Sequence, residues 1–282
     1  MSESKQFKGW TIPGHAVPET SGKLGPAEGE TLDFLSGHYQ IFQLKAGHRF
    51  STDDVLVAWY ATENSPQANR ILDLGSGIGS VALMVAWRRP RTPLVTVEAQ
   101  SVSYSLAQKS WQLNGLSSQV DLRLGDFRSP EVFRPEDAAS FDLITGSPPY
   151  FPLDSGILGD HPQKVACRFE VRGDISDYCV TAARLLAPGG GFACVFPVDP
   201  PHQLERVRKA VEATSLRIVR WRPIELRFGE RPLLGVFWLM HQRDLPASLE
   251  EYEEPPLRIR DADGRVSLEY RLIKLRMGFP PH

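Results

Sequence analysis

Short apolar runs of strand length recur along this chain at 71–74, 94–98, 120–124 and 141–144. From Arg70 onward such runs alternate with stretches of helical spacing, most clearly at 81–86. That alternation predicts an α/β fold, a doubly wound and mostly parallel sheet with helices on both faces. Later runs at 192–196, 216–221 and 233–240 add strands, and no helical stretch separates the last two. They are expected to pair as an antiparallel hairpin at the sheet edge. Upstream, Ser51-Thr52-Asp53 is a helix N-cap signal ahead of Val55-Leu56-Val57-Ala58-Trp59. Downstream, apolar runs at 257–260 and 266–272 flank Asp263-Gly264, which predicts a second hairpin. The chain is expected to divide into a flexible leader (1–30), a cap segment (31–66), a main α/β domain (67–243) and a packed C-terminal extension (244–282).

The strand ends carry the chemistry. Strand 71–74 runs into Asp73-Leu74-Gly75-Ser76-Gly77-Ile78-Gly79, a glycine-rich turn that opens a helix. Gly75, Gly77 and Gly79 allow the backbone to close on a ligand, and the helix N-terminus favours an anionic group. No Lys-Ser/Thr follows, so this is not a nucleoside-triphosphate loop. The second strand ends in Glu98, placed to bind the ribose hydroxyls of a dinucleotide or an adenosyl cofactor. The third leads to Asp126-Phe127, an acid that can accept from an adenine amine and a ring that can lie on the base. In an open α/β sheet these ends face one crevice.

The fourth strand leads into Ser147-Pro148-Pro149-Tyr150. Two successive prolines cannot join a ladder, so the strand stops with a fixed backbone. Ser147 Oγ and the Pro148 carbonyl can accept from a flat NH2 group while Tyr150 stacks on its plane. These are the candidate catalytic residues.

With these elements in this order, the chain resembles the class I S-adenosylmethionine-dependent methyltransferases that carry an [Asn/Asp/Ser]-Pro-Pro-[Tyr/Phe/Trp] motif. Within them it is most similar to the bacterial tRNA(Val) adenine-N6 methyltransferase family. That closer likeness rests on Gln43-Leu44-Lys45-Ala46-Gly47-His48-Arg49-Phe50-Ser51-Thr52-Asp53, on Arg168-Phe169-Glu170 and on Leu185-Leu186-Ala187-Pro188-Gly189-Gly190. The resemblance implies a seven-stranded sheet with an antiparallel edge strand, S-adenosylmethionine as cofactor and tRNA as partner. It implies a cofactor site of Arg49, Asp53, Asp73, Gly75, Gly77, Gly79, Glu98, Asp126, Phe127 and Ser147. It also gives Tyr150, Phe151, Arg168 and Glu170 to the substrate. The chain departs from the family in having Ser147 for the usual Asn and Phe169 for a His. Glutamine-amide, guanine-N2 and cytosine-N4 methylation use similar motif logic and stay open, as does a non-catalytic binding module.

Bulk composition narrows the class further. The chain has 282 residues, 41% of them hydrophobic and 23% charged, which suits a soluble enzyme with a large core. No apolar run reaches transmembrane length, and the seven histidines and three cysteines lack metal-ligand spacing. Free thiols, no membrane, no metal and a cytoplasmic location are expected. The formal net charge of −2 argues against a globally basic nucleic-acid binder. Residues 204–243 are locally basic, however, and Arg217, Arg220 and Arg222 there are candidate phosphate contacts. The long 151–171 connection is expected to overhang the target pocket.

Overall fold

The computed structural model describes residues 6–7, 9–14, 17, 24–150 and 162–281, without the side chains of 7, 164, 166, 168 and 172. β1 (Gln6–Phe7) and β2 (Trp10–Thr11) form a small hairpin inside the expected leader, most of which otherwise lies outside the described residues. β3 (Glu30–Phe34) and β4 (Gln40–Leu44) form a second hairpin, followed by α1 (Thr52–Asn64) with Ser51 as its N-cap. Then come β5 (Ile71–Leu74), α2 (Ser80–Arg88), β6 (Leu94–Glu98), α3 (Ser101–Leu113), β7 (Val120–Leu124) and β8 (Phe141–Gly146). After residue 161 follow α4 (Pro162–Arg168), α5 (Ile175–Leu185), β9 (Leu186–Pro197), α6 (His202–Glu212), β10 (Leu216–Glu225) and β11 (Leu234–His241). The extension contributes β12 (Tyr252–Glu253), β13 (Leu257–Arg258) and α7 (Leu268–Arg276).

The main sheet runs β7-β6-β5-β8-β9-β11-β10, with β12 and β13 both parallel to the outer edge of β10. Alternate strand residues face two cores. Ile71, Leu143 and Val236 pack beneath α1, α2 and α7, whereas Leu72, Ile144 and Phe237 pack beneath α5 and α6. The doubly wound α/β fold is therefore as expected, with four differences. The antiparallel strand β11 is interior, inserted between β9 and β10, and the two short strands raise the count from seven to nine. The expected hairpin at 257–272 stops at one antiparallel bridge, Arg260 with Val266. Ser267 then accepts from the Tyr270 N–H at 3.1 Å and starts α7, burying Tyr270 and Ile273. The 151–171 connection also contains a helix, α4.

One buried acid ties the segment before β8 to β7 and to the start of β5. Asp137, wholly buried, accepts from Arg123 of β7 at 2.5 Å, Arg70 before β5 at 2.6 Å and the Arg134 N–H at 2.6 Å. Burial alone would raise its carboxyl pKa, but these hydrogen bonds and charges outweigh that and hold it below its ordinary value. The stability it contributes is thus present above the ordinary carboxylate range and lost as pH falls through the lowered value. Asp137→Ala leaves Arg123 short of a buried partner and is expected to cost about 3 kcal/mol in urea unfolding at pH 7. A loss under about 1 kcal/mol would mean that the acid does not anchor these strands.

Candidate active site

The C-terminal ends of β5, β6 and β8, with the turn after β7, enclose one cavity. Asp73, Gly75, Gly77, Glu98, Asp126, Phe127 and Ser147 all line it, as the strand-end argument expects. Gly75 and Gly77 have φ of +60° and +55°, values that favour glycine. Their roles differ. A Cβ on Gly75 would stand 2.1 Å from the Tyr178 hydroxyl, whereas one on Gly77 would meet nothing within 4 Å. Gly77 therefore keeps a cradle open that a ligand can fill. Glu98 is held from behind: the Gly77 N–H donates to it at 2.8 Å and the Gln100 N–H at 2.6 Å.

The wall is acidic. Asp73 is buried and accepts from Thr145 Oγ1 at 2.6 Å through one oxygen, while its Oδ2 has no partner. Burial, aided by the charges of Asp54 and Glu98, pushes its pKa up to about 7 against the pull of the Thr145 bond. Asp54 at the start of α1 is pushed up to about 6, mainly by burial, although the Ser51 N–H donates to it at 2.9 Å. Ser76 Oγ and Ser147 Oγ are also buried without partners. Unsatisfied acceptors and clustered carboxylates call for a ligand that brings N–H or O–H donors and positive charge. S-adenosylmethionine has an ammonium, a sulfonium and two ribose hydroxyls, so these residues fit it.

A second cavity of about 340 Å³ adjoins the first. His48, Asp54, Ser147 and Cys167 line both, and Pro148, Tyr150 and Val195 line only the second. Ser147 thus stands at the junction. Tyr150 is half-buried and meets the Phe196 ring edge-on, with centroids 6.3 Å apart. Asp126 and Phe127 sit at the far side of the first cavity, where Phe127 packs 4.5 Å from Tyr178. Arg128 grips both oxygens of Asp126, through Nε at 3.0 and 3.1 Å and Nη2 at 2.6 Å, fixing its orientation.

Several expected site residues lie elsewhere. Gly79 has φ of +83° as the N-cap of α2, but its Cβ position meets Ala107 and Trp111 of α3, so its role is helix packing. Arg49 and Asp53 line the second cavity, not the first, and Arg49 is paired to Asp33 at 2.8 Å. Glu170 is bound by Arg206 and lines neither cavity. Phe151 and the Arg168 side chain fall outside the described residues. Arg217, Arg220 and Arg222 do not form one surface beside the pocket. Arg217 pairs with Met240, which pairs with Gly191, and so sits at the opposite end of the sheet. Arg220 donates to Asn64 at 2.7 Å, and Arg222 pairs with Glu269 at 2.6 Å. Conversely, His48, Asp54, Cys167 and Tyr178 face the cavity without having been expected there. For Tyr178 no local pattern could have marked it, because α5 delivers it through tertiary packing.

Comparisons with known proteins agree with this geometry. The family described as methyltransferase small domain matches residues 53–155. A tRNA1(Val) (adenine(37)-N6)-methyltransferase of Histophilus somni is 28% identical over 244 residues, covering 86% of this chain and 94% of that one. One of the same name from Tolumonas auensis is 29% identical, covering 84% and 92%. Among solved structures, one titled a predicted O-methyltransferase from Agrobacterium tumefaciens superposes with a TM-score of 0.61 at 16% identity, covering 81% and 98%. TYW2 of P. horikoshii, solved in complex with MeSAdo, gives 0.50 at 14% identity, covering 76% and 71%. The fold is the one these solved structures share, and residues 53–155 match the methyltransferase small domain family.

The raised acids make cofactor binding pH-dependent. A cationic ligand favours ionised Asp73 and Asp54, so binding expels any proton they hold. Affinity for S-adenosylmethionine, measured by calorimetry, is expected to be greatest near about pH 8, below the range where the cofactor's own ammonium is lost. It should weaken as pH falls through 7 and 6, by up to about tenfold per pH unit for each proton released. Without ligand the same groups act on the fold with the opposite sense. Their pKa values exceed those of the unfolded chain, so the apo protein loses stability as pH rises from about 4 to about 7. An affinity that is flat between pH 5.5 and 8 contradicts this charge arrangement.

Proposed function

We propose that this chain transfers a methyl group from S-adenosylmethionine to the exocyclic N6 amine of adenine in a tRNA. The observation that carries the reading is Ser147 Oγ, buried, without a partner and placed where the two cavities meet. The relatives' name supports the choice of adenine and tRNA. Glu98 would hold the ribose hydroxyls, and Asp126, oriented by Arg128, would accept from the cofactor's adenine amine. Asp73 and Asp54 would face its positive charge. When bound, S-adenosylmethionine supplies an electrophilic methyl group on a sulfonium.

The protein's part is alignment. An aromatic amine is a weak nucleophile because its lone pair is delocalised into the ring. Ser147 Oγ and the Pro148 carbonyl, accepting its two N–H hydrogens, turn that lone pair toward the first cavity. The prolines hold both acceptors rigid, and Tyr150 presses the base plane from one side. The target base must leave its stack to reach the second cavity, and an unpaired loop nucleotide does so at least cost. No strong base is required, since the amine gives up its proton to water after the methyl has transferred.

Methyl transfer from labelled cofactor into total tRNA, DNA and mixed protein, followed by nucleoside and amino-acid analysis, tests the reading. Label recovered as N6-methyladenosine from tRNA is expected; label confined to protein glutamine or to cytosine would replace it. Ser147→Ala should lower the single-turnover transfer rate by roughly ten- to a hundredfold with cofactor affinity nearly unchanged. Tyr150→Ala should chiefly raise the KM for RNA. Transfer by Ser147→Ala at the wild-type rate would remove the acceptor role given to that hydroxyl.

A further inference from the structure

The second cavity can seat one base, and the arginines first considered for the rest of the polynucleotide point elsewhere. The turn between β10 and β11, residues 226–233, is better placed. β10 runs parallel to β9 and β8, so this turn leaves the sheet at the same end as Ser147. It continues from the end of β9, whose Val195 lines the second cavity: Leu234 pairs with Pro197, and the Val198 N–H donates to the Leu233 carbonyl at 3.0 Å. At about 4.8 Å per strand, the turn is offset sideways from β8 by roughly 10–14 Å.

The turn is fixed and carries an aromatic ring in the open. The Glu230 N–H closes it on the Arg227 carbonyl at 3.1 Å, and the Phe228 N–H donates to the Arg260 carbonyl at 3.0 Å. Arg258, itself paired with Glu225 at 3.0 Å, lies 4.6 Å over the Phe228 ring. Even so, Phe228 is 56% exposed. Arg231 is exposed, and Arg227, 72% exposed, has Glu230 at 3.9 Å, a separation at which a phosphate can compete. A rigidly held ring backed by one guanidinium and flanked by two more suits a stacked base with its phosphate.

We infer that this turn is an RNA-binding platform. An unpaired nucleotide flanking the target adenine stacks on Phe228, and its backbone phosphates meet Arg227 and Arg231. The inference rests on the tRNA reading above and adds the residues that grip the strand outside the base pocket.

The test uses the full chain and an RNA that the wild type methylates. Phe228→Ala is expected to weaken RNA binding by roughly five- to a hundredfold, with Phe228→Trp restoring it. The loss should appear in the KM for RNA, with kcat at saturating RNA, cofactor affinity and melting temperature preserved. Arg227→Gln with Arg231→Gln should flatten the salt dependence of binding by up to about two phosphate contacts. If both the Phe228→Ala and the double arginine variants bind and methylate that RNA like the wild type, the platform is wrong and the activity stands. A wild-type enzyme that binds and methylates no tRNA removes both.

Discussion

Burial of clustered, mutually repelling carboxylates governs this site. Asp54, Asp73 and Glu98 face one cavity, and Asp73 keeps one oxygen without a partner. Two positively charged functions on the cofactor relieve that repulsion, and a neutral or anionic nucleotide of similar size does not. Charge, more than shape, thereby separates an adenosylmethionine site from a dinucleotide site built on the same strand, turn and helix. It also favours release, since a spent cofactor without its sulfonium has lost one of the attractions that held it.

Packing around the turn after β5 makes this acidity tolerable. Glu98 is oriented by two backbone N–H groups, Asp73 by Thr145, and Asp54 by the start of its own helix. Each acid has a defined direction before any ligand arrives, so little ordering remains to be done on binding. Tyr178 closes the floor above Gly75 and presses against Phe127, linking the two ends of the adenosyl site through one side chain from the far half of the chain.

Much of this was legible in the sequence because strand ends are local features. Glu98, Asp126 and Ser147 each follow an apolar run directly, and the parallel topology then brings them together without further information. Residues delivered from other elements were not legible: Tyr178 and Cys167 come from helices beyond the 151–161 segment, and Asp54 differs from the expected Asp53 by one step around a helix. The misread hairpin has a plain cause. Leu268 and Leu272 belong to an alternating pattern but are 62% and 49% exposed, while the buried face of α7 is Tyr270 and Ile273, at helical spacing. The basic excess at 204–243 is offset from outside that stretch: Glu251, Glu254 and Glu269, further along the chain, pair with Arg208, Arg220 and Arg222.

Those pairings give the C-terminal extension a second character. β12 and β13 together cover four residues of β10, and Leu257 and Ile259 are buried behind them. A chain ending near residue 243 would therefore do more than lose a packed appendage. It would leave β10 as a bare sheet edge bearing Trp221 and Ile224, with its unpaired N–H and C=O groups open to a strand from another copy. Residues 244–282 are in this sense a cover over the last edge of the sheet.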